Sequence, residues 1–145
     1  MNKSVGEVIE LFISKKNEVA RSNENRIELD TEGVLEDKFY AKDVERSVLL
    51  TSRESYELVA KNNIEIAYGA LGENILIDYN PYELNMGAQL KIGEVVVEIT
   101  QYCTICNHLS KLDTTLPILL KDDRGIFVKV VKGGFIQKGD KLYLL

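Results

Sequence analysis

Apolar residues along the chain recur mostly in short runs or in alternation with polar ones, the period-two signature of β-strands. Val5 to Ile13 carries Val8, Ile9, Leu11, Phe12 and Ile13, a mostly apolar run suited to a strand buried on both faces. Arg26-Ile27-Glu28-Leu29 alternates briefly, and Ser47 to Thr51 and Asn74 to Ile77 are further short strand candidates. Gln89 to Ile92 and Glu94 to Thr100 flank Gly93 and predict a tight strand pair, with Val95, Val97 and Ile99 on one face. Ile126 to Val131 and Phe135-Ile136 flank Gly133-Gly134, where a turn with positive φ is easily accommodated. Lys141 to Leu145 supplies a final strand.

Helical signals are fewer. Thr51-Ser52-Arg53-Glu54 fits a capping box, in which the Thr51 hydroxyl and the Glu54 carboxylate satisfy each other's orphan amides. Behind it Tyr56, Val59 and Ala60 share a helical face that ends near Asn62-Asn63. A second short helix is expected from about Cys106 to Leu112, with Leu109 and Leu112 on its inner side. Many short strands, regular turn signals and one or two short helices predict a mainly β fold, a mostly antiparallel, closed or partly closed β-barrel. The strand–helix alternation of a parallel α/β sheet is absent.

Composition narrows the class. A chain of 145 residues suits one domain over 1–145, and 45% hydrophobic residues argue for a globular core. The 18 basic and 23 acidic residues are mixed, giving a net charge of -5 without a block of one sign. That distribution argues against nucleic acid or a membrane surface as partner. The longest apolar runs, such as Leu116 to Leu120, fall far short of a membrane span, and the first residues carry no signal or transit pattern. A cytoplasmic location is the expectation.

The reactive inventory is small: Cys103, Cys106 and His108. A bridge between cysteines three positions apart would close a tiny loop and stabilise little, so chemistry or metal binding is the better use for them. A thiol at a helix start feels the positive end of the helix, which favours thiolate. Zinc would begin well with Cys103, Cys106 and His108, but the chain has no further Cys or His to complete a structural site. The zinc-deaminase pattern is not met, because no His-x-Glu precedes the pair. A thiol–disulfide oxidoreductase also uses Cys-x-x-Cys, though in βαβ surroundings that this pattern lacks. Two small buried residues, or a thiolate that carries sulfur, remain open on spacing alone.

The ordered landmarks decide among these. They run Gly33-Val34-Leu35-Glu36-Asp37-Lys38, Arg46 with Ser47-Val48-Leu49-Leu50 and Glu54, then Gly69-Ala70-Leu71-Gly72-Glu73-Asn74-Ile75. Gly87, Ile92-Gly93, Glu98-Ile99-Thr100 and the cysteine segment follow. Arg124-Gly125-Ile126-Phe127-Val128-Lys129-Val130, Gly133-Gly134 and Gly139-Asp140 complete the series. As an ensemble they resemble the MOSC family, the domain named after the C-terminal part of molybdenum cofactor sulfurase, over roughly residues 5 to 145. The resemblance implies a barrel of the pyruvate kinase β-barrel-like kind with a cysteine at the rim of a pocket. It further implies sulfur held as a persulfide received from a pyridoxal-phosphate-dependent cysteine desulfurase, or molybdenum cofactor (molybdopterin) bound with a cysteine ligand to the metal.

Cys106, followed by Asn107-His108-Leu109, fits the family's functional cysteine best, and Cys103 is a second candidate. The family's Gly-Asp-Arg-His element appears here as Glu36-Asp37-Lys38-Phe39, and Ile105 replaces the usual proline before the cysteine. His108 is then the only imidazole available to replace the missing one. Arg46, Arg124, Lys38 and Lys129 are the candidate cations for an anionic pterin phosphate, since a guanidinium's planar fork suits phosphate. Glu73, Asn74 and Asp37 either line the pocket or cap turns. The resulting expectation is a sulfur carrier or molybdenum-cofactor-binding protein with Cys106 as the sulfur- or metal-bearing thiolate. Its partners would be a cysteine desulfurase or molybdenum-cofactor pathway proteins. A molybdenum-dependent reductase of N-hydroxylated compounds and a non-catalytic module with buried cysteines are the alternatives, and the oligomeric state is open. No partner domain accompanies the barrel, so a complete sulfurase or reductase is not expected from this chain.

Overall fold

The structure is a computed structural model, and the residues it describes are 3–15, 21–103, 115, 120 and 124–145. Strands β1 (Gly6–Ile13), β2 (Ser22–Glu24), β3 (Arg26–Asp30), β4 (Gly33–Val34) and β5 (Val48–Ser52) come first, with a short 3-10 turn at Val44–Arg46. Helix α1 (Arg53–Lys61), β6 (Ile75–Ile77), β7 (Gln89–Ile92), β8 (Val95–Tyr102), β9 (Ile126–Lys132), β10 (Gly134–Gln137) and β11 (Lys141–Leu144) follow. The ring runs β1-β6-β5-β9-β8-β7-β11 and closes where Gly6 meets Leu142 and Glu7 meets Lys141. Closure removes the open sheet edges that would otherwise recruit other chains.

Most pairings are antiparallel. The exception is β5 with β6, in register Leu50↔Ile75, Thr51↔Leu76 and Ser52↔Ile77. A parallel pair needs a long crossover, and α1 lies within it. Alternation on β8 sends Val95, Val97 and Ile99 inward, where they meet Leu50, Leu90, Ile92, Ile126 and Val128, each essentially without solvent contact. Each such side chain contributes about 1.5–3 kcal/mol when fully buried. A second cluster outside the ring, Tyr56, Val59, Leu71, Leu76 and Leu120, seats α1 against the barrel wall.

Four details depart from the sequence pattern. Only Leu11 to Ile13 of β1 is buried on both faces; Glu7 and Glu10 reach solvent, where Glu10 pairs with Lys138 at 3.0 Å. The helix cap is Ser52 and not Thr51: the Ser52 hydroxyl accepts from the Glu54 amide at 3.1 Å. Thr51 is still strand, and its hydroxyl donates to the Arg124 carbonyl at 3.0 Å. The buried side of α1 is Ser55, Tyr56 and Val59, while Ala60 faces solvent.

Last, Gly133-Gly134 does not fold β9 and β10 into a hairpin. Gly134 has φ +150, but β10 leaves the ring and pairs with β3, Phe135 opposite Glu28 and Ile136 opposite Ile27, in a small sheet ordered β10-β3-β4. The crossing needs a residue without a side chain, because a Cβ on Gly133 would stand 2.5 Å from the Leu29 carbonyl oxygen. The second helix expected over Cys106 to Leu112 lies outside the described residues. No helix among the described residues is long and apolar enough to cross a membrane.

Candidate functional site

Several strand ends meet at one corner of the barrel: the C-terminal ends of β1 and β8, the start of β2, and the N-terminal ends of β6 and β9. Polar side chains collect there against the α1 layer. Glu73 is fully buried just before β6, and Tyr56 on α1 is 6% exposed. The Tyr56 hydroxyl donates to the Glu73 carboxylate, with its oxygen 2.6 and 2.8 Å from the two carboxylate oxygens. The same hydroxyl oxygen accepts from the amides of Gly69 at 2.9 Å and Leu71 at 3.2 Å. Gly69 also donates to Glu73 at 3.1 Å. The turn from Gly69 to Leu71 is therefore wrapped around one phenol–carboxylate pair.

Two guanidiniums approach this pair. Arg124, 6% exposed at the start of β9, donates from Nε and Nη2 to the Leu71 carbonyl at 3.2 and 3.0 Å. Arg21, half-buried ahead of β2, comes up to the same piece of backbone. A Cβ on Gly72 would lie 3.5 Å from Arg124 Nη2 and 3.7 Å from Arg21 Nη2, and Gly72 has φ +93. Arg21 Nη1 is buried and lacks a hydrogen-bond partner among the described residues. Burial holds the Arg21 guanidinium below its ordinary value, opposed by the nearby Asp37 and Glu73 carboxylates and reinforced by Arg124. Burial likewise pushes the Glu73 carboxyl up, although hydrogen bonds from Tyr56 and Gly69 and the charge of Arg21 pull against it. The Tyr56 phenol is raised by its burial and by Glu73, so it stays protonated and donates. A desolvated corner with two permanent cations and a carboxyl biased towards its neutral form is suited to an anion.

The cysteine segment begins beside this corner. Cys103 is buried at the end of β8, and its amide donates to the carbonyl of Gly125, next to Arg124, at 3.0 Å. Cys106 and His108 lie outside the described residues. No group of three or more Cys, His, Asp or Glu positioned for a metal occurs among the described residues.

The other expected residues are spread out. Asp37 is buried close to Arg21 but serves the structure: it accepts from the Ser14 amide at 2.7 Å, from the Phe39 amide at 3.0 Å and from the Asn74 side-chain Nδ2 at 3.3 Å. Asn74 ties two strands, accepting from the Leu49 amide at 3.1 Å and donating to the Phe12 carbonyl at 3.2 Å. Lys38 is exposed above the Phe39 ring at 5.2 Å, and Arg46 is exposed above Phe127 at 4.9 Å. Lys129 pairs with Glu98 at 3.4 Å on the barrel exterior. Of the candidate cations, the corner thus holds Arg124, together with Glu73.

Arg21 and Tyr56 were not among the expected site residues. Tyr56 reads from spacing as a plain helix-core residue, and Arg21 sits in a polar stretch with no motif around it. Nothing short of the tertiary contacts points to either.

The comparisons agree with this architecture. Residues 36–143 match the model of the MOSC domain. The fold superposes on the YuaD protein of Bacillus subtilis with a TM-score of 0.85 at 15% identity, over 99% of this chain and 98% of that one. YiiM of Geobacillus stearothermophilus gives 0.78 at 15% identity, over 97% and 75%. YiiM of Escherichia coli gives 0.71 at 17% identity, over 96% and 69%. No curated protein matches the sequence significantly. With the family model covering most of the barrel, the chain belongs to the MOSC domain family.

Proposed function

We propose that the chain is a molybdenum-cofactor-binding domain, with the Arg21–Arg124 corner holding the anionic end of the pterin and Cys106 supplying the thiolate. The observation that carries this reading is the buried Arg21 Nη1 without a partner, next to a second buried guanidinium. A buried donor left unpaired is unfavourable by about 1–3 kcal/mol, more for a charged group, and a bound phosphate oxygen would relieve it. The cofactor, when bound, supplies a redox-active molybdenum. The chain's own groups do the rest. Arg21 and Arg124 bind and orient the phosphate, and the Tyr56–Glu73 pair holds the Gly69–Leu71 turn on which Arg124 rests. Gly72, at φ +93, carries the backbone past both guanidiniums in a conformation that side-chain-bearing residues rarely adopt. The sulfur-carrier role uses the same segment, with the Cys106 thiolate attacking a desulfurase persulfide at its outer sulfur. That sulfur moves to Cys106 and the desulfurase cysteine leaves as thiolate.

Protein produced in a host that makes molybdenum cofactor is the test, with molybdenum and pterin measured on the purified chain. Wild type is expected to retain both, and Arg21→Ala to retain at least about tenfold less, the effect of losing one charge-assisted phosphate contact. Metal- and pterin-free wild type would overturn the cofactor reading. If that same protein gained one sulfur from a desulfurase and cysteine, and Cys106→Ala did not, the assignment would move to the carrier.

A further inference from the structure

The glycine-marked turns at Gly93, Gly134 and Gly139-Asp140 take no part in the corner, yet they lock into each other. β10 ends its three-stranded sheet, with β3 on one side. The Lys138 amide donates to the Asn25 carbonyl at 3.1 Å, which extends the β10–β3 ladder. Residues 134, 136 and 138 therefore direct their amides to β3, and 135 and 137 direct theirs outward. Both outward amides are taken by carboxylates. Phe135 donates to Glu94 Oε1 at 2.6 Å, and Gln137 donates to Asp140 Oδ2 at 2.9 Å.

Each carboxylate rests on a glycine of another turn. A Cβ on Gly134 would stand 2.7 Å from Glu94 Cγ, and one on Gly93 would collide with the Asp140 carboxylate. Both glycines have positive φ, +150 and +58, so the three turns interlock only with glycine in these places. Glu94 comes from the β7–β8 turn, 41 residues away in sequence. A contact over that distance is part of the tertiary design and not a local turn habit.

An exposed strand edge with free amides is a template for another strand, and blocking it with charged groups is a known remedy. We propose that Glu94 and Asp140 are edge caps that keep β10 from pairing with β10 of a second copy of this chain. Such a pairing would be antiparallel and isologous, made by main-chain bonds from Phe135 and Gln137. The bound carboxylate oxygens occupy both donors that a second strand would need.

The test compares two double variants by sedimentation across a concentration range. Glu94→Ala/Asp140→Ala removes the acceptors; Glu94→Gln/Asp140→Asn removes the same charge but keeps an acceptor oxygen at each place. The first is expected to associate at least about tenfold more tightly than wild type, and the second to match wild type. Equal behaviour of the two variants, or no added association in the alanine pair, overturns the proposal. Should the alanine pair fail to fold, amide exchange in wild type decides. The Phe135 and Gln137 amides are expected to exchange at least about tenfold more slowly than in an unstructured chain, and exchange at the unprotected rate overturns the caps.

Discussion

The barrel interior and the layer between the barrel and α1 are both largely buried, yet they are built from different materials. Inside the ring the buried side chains are almost all aliphatic, and the hydroxyl of the buried phenol Tyr82 accepts from the Ser52 amide at 2.8 Å. Under α1 the aliphatic contacts of Val59, Leu71 and Leu76 stand beside a buried carboxyl, a buried phenol and two guanidiniums. Apolar packing needs no further explanation. A desolvated charge does, because replacing such a group with a hydrophobe of similar size is often neutral or stabilising. The contrast places the apolar core in the ring and the buried polar groups in the layer beside it.

Four measurements would break or sharpen that contrast. Leu50, without solvent contact at the centre of the ring, should lose about 2–5 kcal/mol of stability as Leu50→Ala, since it leaves a cavity in a packed interior. Denaturant unfolding reads this directly, and a loss below about 1 kcal/mol would mean the ring is not the stabilising core. Tyr56→Phe should cost about 2–4 kcal/mol, because it strands the Gly69 and Leu71 amides and one side of Glu73. A smaller loss would show that water or a rotated Glu73 can replace the phenol.

The third concerns pH. Glu73's carboxyl is raised by burial from an ordinary 4.5, so between that value and its raised one the folded chain holds a proton that the unfolded chain has released. Stability contributed by this proton is present at the low end and falls as pH rises through the window, then levels off. Glu73→Gln should remove that slope in unfolding measurements stepped upward from the ordinary value. A slope that persists in the variant belongs to another group. The smallest effect is expected outside both regions: Lys129→Ala breaks an exterior pair with Glu98 whose side chains are 38% and 27% exposed, and should change stability by less than about 0.5 kcal/mol. A larger change would make this face of the barrel part of the core argument.

The local pattern was read well where it depended on burial alone. Alternation marked β8 from Val95 to Ile99, and short apolar runs marked β5 and β6, because an inward position tolerates little besides an aliphatic side chain. The helix is legible too, but its cap lies one residue beyond Thr51, since Thr51 and Ser52 are equally good caps and only the fold commits the Thr51 hydroxyl to the Arg124 carbonyl. At the site the sequence pointed to Arg124, Glu73 and Asp37, all of which are buried. It could not separate Arg124 from Arg46, which stacks on Phe127 at the surface, because two arginines in polar surroundings look alike until the chain is folded.

By itself, then, the sequence determined the mainly β class, most strand positions and the family, and it marked the segment that carries both cysteines. Those follow from periodicity and from the order of landmarks, which are properties of a line of residues. The tertiary structure alone decided that Arg21 joins Arg124 over Gly72, that Tyr56 and Glu73 form one buried pair, and that β10 crosses to β3 instead of turning back on β9. Each of these joins residues far apart in the chain, where barrel closure sets the distance and sequence spacing carries no information about it.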